Sequence, residues 1–316
     1  MAIFLGRRMV LAAKIENTEG TAEALAGTDA NLLVYDAMFE PDQDQFERKP
    51  LANDLSPFGP IAGKRKATIR FKAELKGSGT AGTAPAIGKL LKACGASEAT
   101  VAATSVTYAP LTLAIPTLTI GLYSVPESGN SIKEFISGAR GSWKLSPNVG
   151  DPGMLEFEFT GNYETTADIT SITPSGLEST KPQPFLSTSL SCHSSSGHKI
   201  SKFSFDLKNQ LAMRTDINKA SGYFSCLIVD RAPSFSFDPE KELVATHDYY
   251  GKVFANTEAS LSLTIGASAG NIATLSAPKA QYVQVKPGVR DGIQIFNVDG
   301  RLNRSSGNDE WSLAFT

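Results

Sequence analysis

The stretch ATIRFKAEL, Ala67–Leu75, decides how the chain is read. Ala67, Ile69, Phe71, Ala73 and Leu75 fall on one face and Thr68, Arg70, Lys72 and Glu74 on the other, the period of a half-buried strand. The adjoining run KGSGTAGTAPAIGKLLKACG, from Lys76 to Gly95, holds Gly77, Gly79 and Gly82 in the G-x-G-x-x-G spacing of a dinucleotide loop. A dinucleotide fold buries its first strand on both faces, so that strand reads as continuous apolar residues. Here it alternates with charge. Glu98 lies near the expected acidic position but precedes the next strand, TVAATSVTY, and no train of strand–helix–strand units comes after it. A phosphate loop fails too, since Leu90 stands where Ser or Thr would meet magnesium. The glycines read as a flexible turn into a packed helix.

Working outward, the alternation recurs. LEFEF puts Leu155, Phe157 and Phe159 inside with Glu156 and Glu158 outside. ISKFSFDL (200–207), ASLSLTI (259–265, Ser260 and Ser262 outward) and EWSLAF (310–315, Ser312 outward) repeat it. Strands with one wet face belong to antiparallel sheets, so the fold is mainly β. One helix is expected near 84–94, capped by Thr83, with Pro85 in its first turn, Ile87, Leu90, Leu91 and Cys94 on its buried stripe and Gly95 ending it.

Composition bounds the function. The 316 residues are 41% hydrophobic and 20% charged with a net charge of -2, a globular balance without a field that recruits nucleic acid. Residues 1–180 carry 16 basic and 20 acidic side chains and residues 181–316 carry 14 and 12, which favours unlike halves meeting. Three cysteines, none in a C-x-x-C, point to a reducing compartment. The opening MAIFLGRRMV lacks the order of a signal peptide, and Leu111–Val125 is too short and too broken to span a bilayer.

The chemical motifs are thin. SCHSSSGH places Cys192, His193 and His198 close together, but no further ligand stands at a recognisable spacing, and a surface hairpin turn accounts for it. No G-x-S-x-G elbow accompanies the three histidines, and HDYY (247–250) reads as contact surface in a loop. Catalysis, cofactor and metal are not expected.

Two long segments look loose. Glu40–Lys66 carries Phe46, Leu51, Phe58 and Ile61 among charges, and Asp238–Glu258 carries Tyr249, Tyr250 and Phe254. Both are expected to be mobile until a neighbour buries their apolar side chains. A Ser-, Thr- and Pro-rich run near 162–184 reads as a linker. FEPDQDQF from Phe39 can be laid over FDPEKELV from Phe237, ATIRFKAEL over ASLSLTIGA from Ala259, and DPGMLEFEF from Asp151 over GNDEWSLAF from Gly307. The ordered matches suggest an internal duplication: a first β-sandwich over 1–165 with the helix, a linker over 166–184, and a shorter second sandwich over 185–316.

With these residues in view, the chain resembles the major tail tube proteins of long, non-contractile-tailed bacteriophages. The resemblance runs through VLAAKIENTEGTAEAL from Val10, AGKRKATIRFKAELKGSGTAGTAPAIGKLLKACG from Ala62, SVTYAP from Ser105 and ISGARGSWKL from Ile136. It continues through RTDINKASGYFSCLIVDRAPSFSFDPE from Arg214, LTIGASAGN, APKAQY and RDGIQIF to GNDEWSLAF. It implies β-sandwich subunits whose inner strands join around a ring into a barrel for DNA, the rings stacking into a virion tail tube assembled in the bacterial cytoplasm. Rings of six such domains become three copies of a duplicated chain; a six-copy ring with the second half as outer decoration is the alternative. The implied partners are the chain itself, tape-measure, terminator and distal tail proteins, and double-stranded DNA in transit. Barrel-strand candidates are then Thr68, Arg70, Lys72, Glu74, Glu156, Glu158, Ser260, Ser262 and Ser312. A secreted carbohydrate-binding or adhesin module of two β-sandwiches is the competing class.

Overall fold

Residues 3–316 are described by a computed structural model. The first half runs through β1 (Phe4–Ile15), β2 (Val34–Arg48), β3 (Phe58–Glu74), α1 (Gly88–Ala93), β4 (Ala96–Val101), β5 (Ser105–Pro110), β6 (Leu118–Pro126), β7 (Ser131–Leu145) and β8 (Met154–Tyr163). After β9 (Ala167–Ile169) come β10 (Ser189–Cys192), β11 (Ser195–Ser196), β12 (Phe203–Asp206), β13 (Asn209–Thr215), β14 (Tyr223–Arg231) and β15 (Ser234–Phe237). The chain ends with α2 (Tyr249–Phe254), β16 (Glu258–Ile265), β17 (Ala273–Arg290), β18 (Ile293–Asn303) and β19 (Ser312–Phe315). The protein is mainly β, and every strand pairing is antiparallel.

The decisive stretch behaves as its period dictates. Ala67, Ile69, Phe71, Ala73 and Leu75 are buried, and Phe71 stacks on Phe157 and Phe159 of β8 at ring distances of 5.6 and 6.1 Å. Burying each such side chain contributes about 1.5–3 kcal/mol, so the face is fixed by its apolar set.

The two halves share an order of neighbours. In the first it is β1-β6-β7-β8-β3-β2, and in the second β10-β16-β17-β18-β15-β12. A helix sits at the same place in both, between β3 and β6 and between β15 and β16. Even a bulge recurs, on β7 between Ile136 and Ala139, opposite Leu118 and Ile120, and on β17 between Ala277 and Ala280, opposite Ala259 and Leu261. The sequence blocks that can be laid over each other do not respect this correspondence. β3 answers to β15 rather than β16, and β8 to β18 rather than β19: β3 pairs directly with β8, whereas β16 and β19 both pair with β17 and not with each other.

One buried cluster runs through both halves. Trp143 of β7 packs on Phe205 of β12 and edge-on against Trp311, at 4.7 and 5.4 Å, and Tyr108 of β5 meets Phe315 of β19 at 6.1 Å. The run near 162–184 is bound to the body rather than strung between units. β9 pairs with the start of β7, the Glu178 carboxylate accepts the Ala86 N–H at 2.7 Å, and the Gln183 carbonyl accepts the Gly153 N–H at 3.1 Å.

The helix is shorter than the sequence suggests. It begins at Gly88 with Ile87 at the N-cap, not at Thr83, because Pro85–Ile87 form a separate turn; the stripe Ile87, Leu90, Leu91, Cys94 is buried as expected. The glycine-rich turn ahead of it packs on the second half. The Gly77 N–H donates to Asn271 Oδ1 at 2.8 Å, and a Cβ at Gly77 would lie 2.1 Å from the Gly270 carbonyl oxygen. Close approach of two backbones, not a phosphate, accounts for that glycine.

Candidate functional site

β6 occupies one edge of β7 only as far as Ala139, and from Lys144 that edge is taken by β12 of the second half. The pairing Lys144↔Asp206, Leu145↔Phe205 welds the halves into an eight-stranded path, β2-β3-β8-β7-β12-β15-β18-β17, with four strands from each. One face of it packs on the core. The other is mostly polar, with Met38 and Val283 exposed near its two edges.

Across that polar face residues stand in cross-strand rows. Lys72, Glu156, Lys144, Asp206, Ser234 and Arg301 are successive partners on neighbouring strands, and Arg70, Glu158 and Ser142 form the next row. Two shallow hollows, about 340 and 490 Å³, lie along it and share Lys144 and Asp206, so the surface is continuous over the junction. Most first-half cations are neutralised in place. Lys72 donates to Asp36 at 3.0 Å, and Arg70 bonds both Glu40 and Glu158; those hydrogen bonds hold both cations above their ordinary pKa values.

Of the barrel-strand candidates, Thr68, Arg70, Lys72, Glu156 and Glu158 stand together on this face. Glu74 closes the strand end, buried, where it accepts the Tyr35 hydroxyl at 2.8 Å and pairs with Lys76 at 2.8 Å. Ser260 and Ser262 lie on β16 and Ser312 on β19, which are outside the eight-stranded path. The residues missed were Lys144, Asp206, Ser234, Ser236, Asp299 and Arg301. FSFD and SFSF carry the right alternation, but four-residue strands show no sign of which sheet they join.

The two edges of the path have no strand partner among the described residues: β2 on one side and β17 beyond Gln281 on the other. β2 also departs from expectation. Glu40–Lys66 is not a loose loop but the outer part of a long hairpin, paired from Glu40↔Thr68 out to Arg48↔Phe58, with only residues 49–57 outside the ladder. Seven residues at about 3.3 Å each carry the arm roughly 23 Å beyond Pro41. Phe46, Leu51, Phe58 and Ile61 are all exposed on it. At its root the Arg65 N–H donates to the Ser221 carbonyl at 2.9 Å.

The counterpart, Asp238–Glu258, is folded into the body. It contains α2, capped by the Asp248 side chain, which accepts the Gly251 N–H at 2.8 Å. Tyr249 is 2% exposed, bonded to His198 Nδ1 at 3.1 Å and stacked 5.9 Å from Tyr282; Tyr250 and Phe254 remain exposed. All three histidines gather here. The hairpin turn expected at SCHSSSGH exists, but it turns His193 and His198 inward toward His247 rather than outward. Burial pushes the His193 and His247 pKa values down to about 4, with the Lys252 charge adding to it, and lowers that of His198. Neutral rings in an aromatic nest are packing groups; no metal-holding cluster occurs among the described residues.

Nor is any described helix long and apolar enough to cross a membrane. The family model described as phage tail tube protein matches residues 6–300, nearly the whole chain. No individual curated protein matches it directly.

Proposed function

Since the chain belongs to the phage tail tube protein family, we propose that three copies close into a ring of 24 inner strands, the rings stacking into the tube that conducts DNA. One observation carries the number three: the eight-stranded path with a single polar face, four strands from each half. Strands 4.8 Å apart and tilted about 40° give 24 of them a backbone radius of roughly 24 Å, which leaves a lumen roughly 36 Å wide after side chains. Six copies of the same path would double that radius, far beyond what a duplex fills. Two copies would leave no room for its hydration. The second half as an outer decoration fits poorly with a sheet that it continues.

The face suits transit. Binding to DNA is driven by cations that displace counterions, and Lys72 and Arg70 already sit against carboxylates. Closing the ring also removes two open edges that would otherwise template aggregation. The shared order of neighbours supports descent from a duplicated unit, and the arm with Phe46, Leu51, Phe58 and Ile61 is read as the contact to the next ring. A secreted module has no corresponding support in the family match.

Electron microscopy and native mass spectrometry of concentrated protein test the reading. Rings in multiples of three chains with a central channel are expected; dominant six-chain rings would overturn the number, and a persistent monomer would overturn assembly itself.

A further inference from the structure

Resting on that reading, we infer the register in which one copy joins the next: the outer part of β17 pairs antiparallel with β2 of a second copy, Lys286 opposite Glu40. The template is inside the chain. At the internal junction β7 meets β12, and the matched neighbour orders place β17 where β7 stands and β2 where β12 stands. The open edges are therefore the second instance of a contact the molecule already makes once.

The ladders fix the residue equivalence. Ala139 and Ala280 sit at the shared bulge, Glu158 and Asp299 face Arg70 and Ser236, and these face Met38 and Ser204 in turn. Counting along β7 and β17 through their partners Glu156 and Asn297 sets Lys286 on Lys144. Counting along β2 and β12 through Thr68 and Ser234 sets Glu40 on Asp206. The internal pair Lys144↔Asp206 then becomes Lys286↔Glu40 between copies, and Leu145↔Phe205 becomes Pro287↔Phe39.

Three features bear on this register. The charges are opposite, as they are at the internal junction, and Lys286 would add to the chain of ion pairs Glu158–Arg70–Glu40, in which Glu40, opposite Thr68, reaches Arg70 diagonally. Pro287 presents its missing N–H to the open edge, because its partner Phe296 donates its own N–H away from β17, to the Pro239 carbonyl at 2.8 Å. That does not bar pairing: Pro147 at the internal junction likewise serves only as acceptor, taking the Phe203 N–H at 3.2 Å. Third, the Leu207 N–H donates to the Trp143 carbonyl at 3.1 Å, two residues from Phe205 on the one strand and from Leu145 on the other. Lys144 and Asp206 thus form the close, non-hydrogen-bonded kind of pair, in which side chains lie nearest each other.

That proximity supplies the test. Glu40→Cys chains are mixed with Lys286→Cys chains, assembled and oxidised; the three native cysteines are buried and do not compete. Facing β-carbons in such pairs come close to disulfide geometry. A mixed dimer is expected as the main product. The double variant, Glu40→Cys with Lys286→Cys, is expected to give a covalent ladder that ends at three chains. Glu40→Cys with Gly288→Cys, two residues out of register, should cross-link at least tenfold less. Rings that form without the Glu40–Lys286 cross-link, or that favour the offset couple, overturn the register while leaving the tube intact. A ladder that ends at six upholds the register and overturns the three-copy ring. If unmodified protein forms neither rings nor tubes, both fall together.

Discussion

Residues 40–66 and 238–258 read alike in the sequence, as long segments with aromatic residues scattered among charges, yet one stands free of the body and the other lies in it. The difference comes from what lies across each segment. Past Asp42, β2 and β3 form a strand ladder only with each other, so Phe46, Phe58 and Ile61 have no second layer to bury them. Tyr249 instead falls on a helix laid over β17, where Tyr282, Phe296 and the histidines close around it. A two-stranded ribbon cannot make a core alone, and a short helix on a sheet can. The arm is therefore available for assembly, while α2 is committed to folding.

The sharpest way to break this comparison is at Tyr249. Tyr249→Ala should lose about 3–5 kcal/mol of folding free energy, the range for a large buried aromatic, read as a lower urea midpoint at unchanged slope. A loss under about 1 kcal/mol would mean that α2 is not part of the core, and the contrast with the arm would collapse.

Acid should act on the same side of the comparison. The folded pKa values of His193 and His247 lie near 4, below the unfolded value of 6.5, and that of His198 is lowered as well. The unfolded chain therefore binds more protons in this window, and stability must rise with pH. The histidine contribution is complete above pH 6.5 and is lost as pH falls toward 4. His193 has no partner for either ring nitrogen and stacks on Tyr282 at 4.2 Å, so His193→Phe should lessen the slope of stability against pH. An unchanged slope would assign the acid sensitivity elsewhere.

On the arm the expectation inverts. Phe46→Ser with Phe58→Ser should shift folding free energy by less than about 0.5 kcal/mol, as exposed substitutions do, and yet abolish tubes. Tubes of normal length from this variant would remove the arm from the assembly contacts.

How far the sequence could see depends on the same physics. ATIRFKAEL, LEFEF and EWSLAF announce their strands because one-sided burial imposes a period of two, and the Ile87, Leu90, Leu91, Cys94 stripe announces the helix for the corresponding reason. What failed was long-range. Glu40–Lys66 lacks a clean apolar alternation since neither face of the hairpin is buried, so nothing in it marks a strand. Ser260, Ser262 and Ser312 show the same small polar alternation as Ser204 and Ser236, and only the pairing partners separate the two groups. The inward turn of His193 rests on Tyr282 and that of His198 on Tyr249, both far along the chain and not inferable from SCHSSSGH alone.

The smallest effect is expected at the arm's tip and tests whether the arm contributes anything to the body. Lys49 lies 2.8 Å from Glu47, but both side chains are largely exposed, 82% and 73%. In water the attraction of such a pair is offset by the entropy of holding two long side chains still, and salt screens what remains. Lys49→Ala should leave the urea midpoint unmoved at low and high salt alike. Hydrogen exchange should show residues 49–57 unprotected in both proteins, with protection beginning where the ladder does, near Arg48 and Phe58. A measurable loss of stability would mean that the tip is coupled to the core through the hairpin, and the arm would then be a folding element like α2. If the midpoint holds, charges such as Lys49, Glu47 and Arg48 are left with one physical task in the free subunit, which is to keep a long exposed ribbon from pairing out of register with its neighbours.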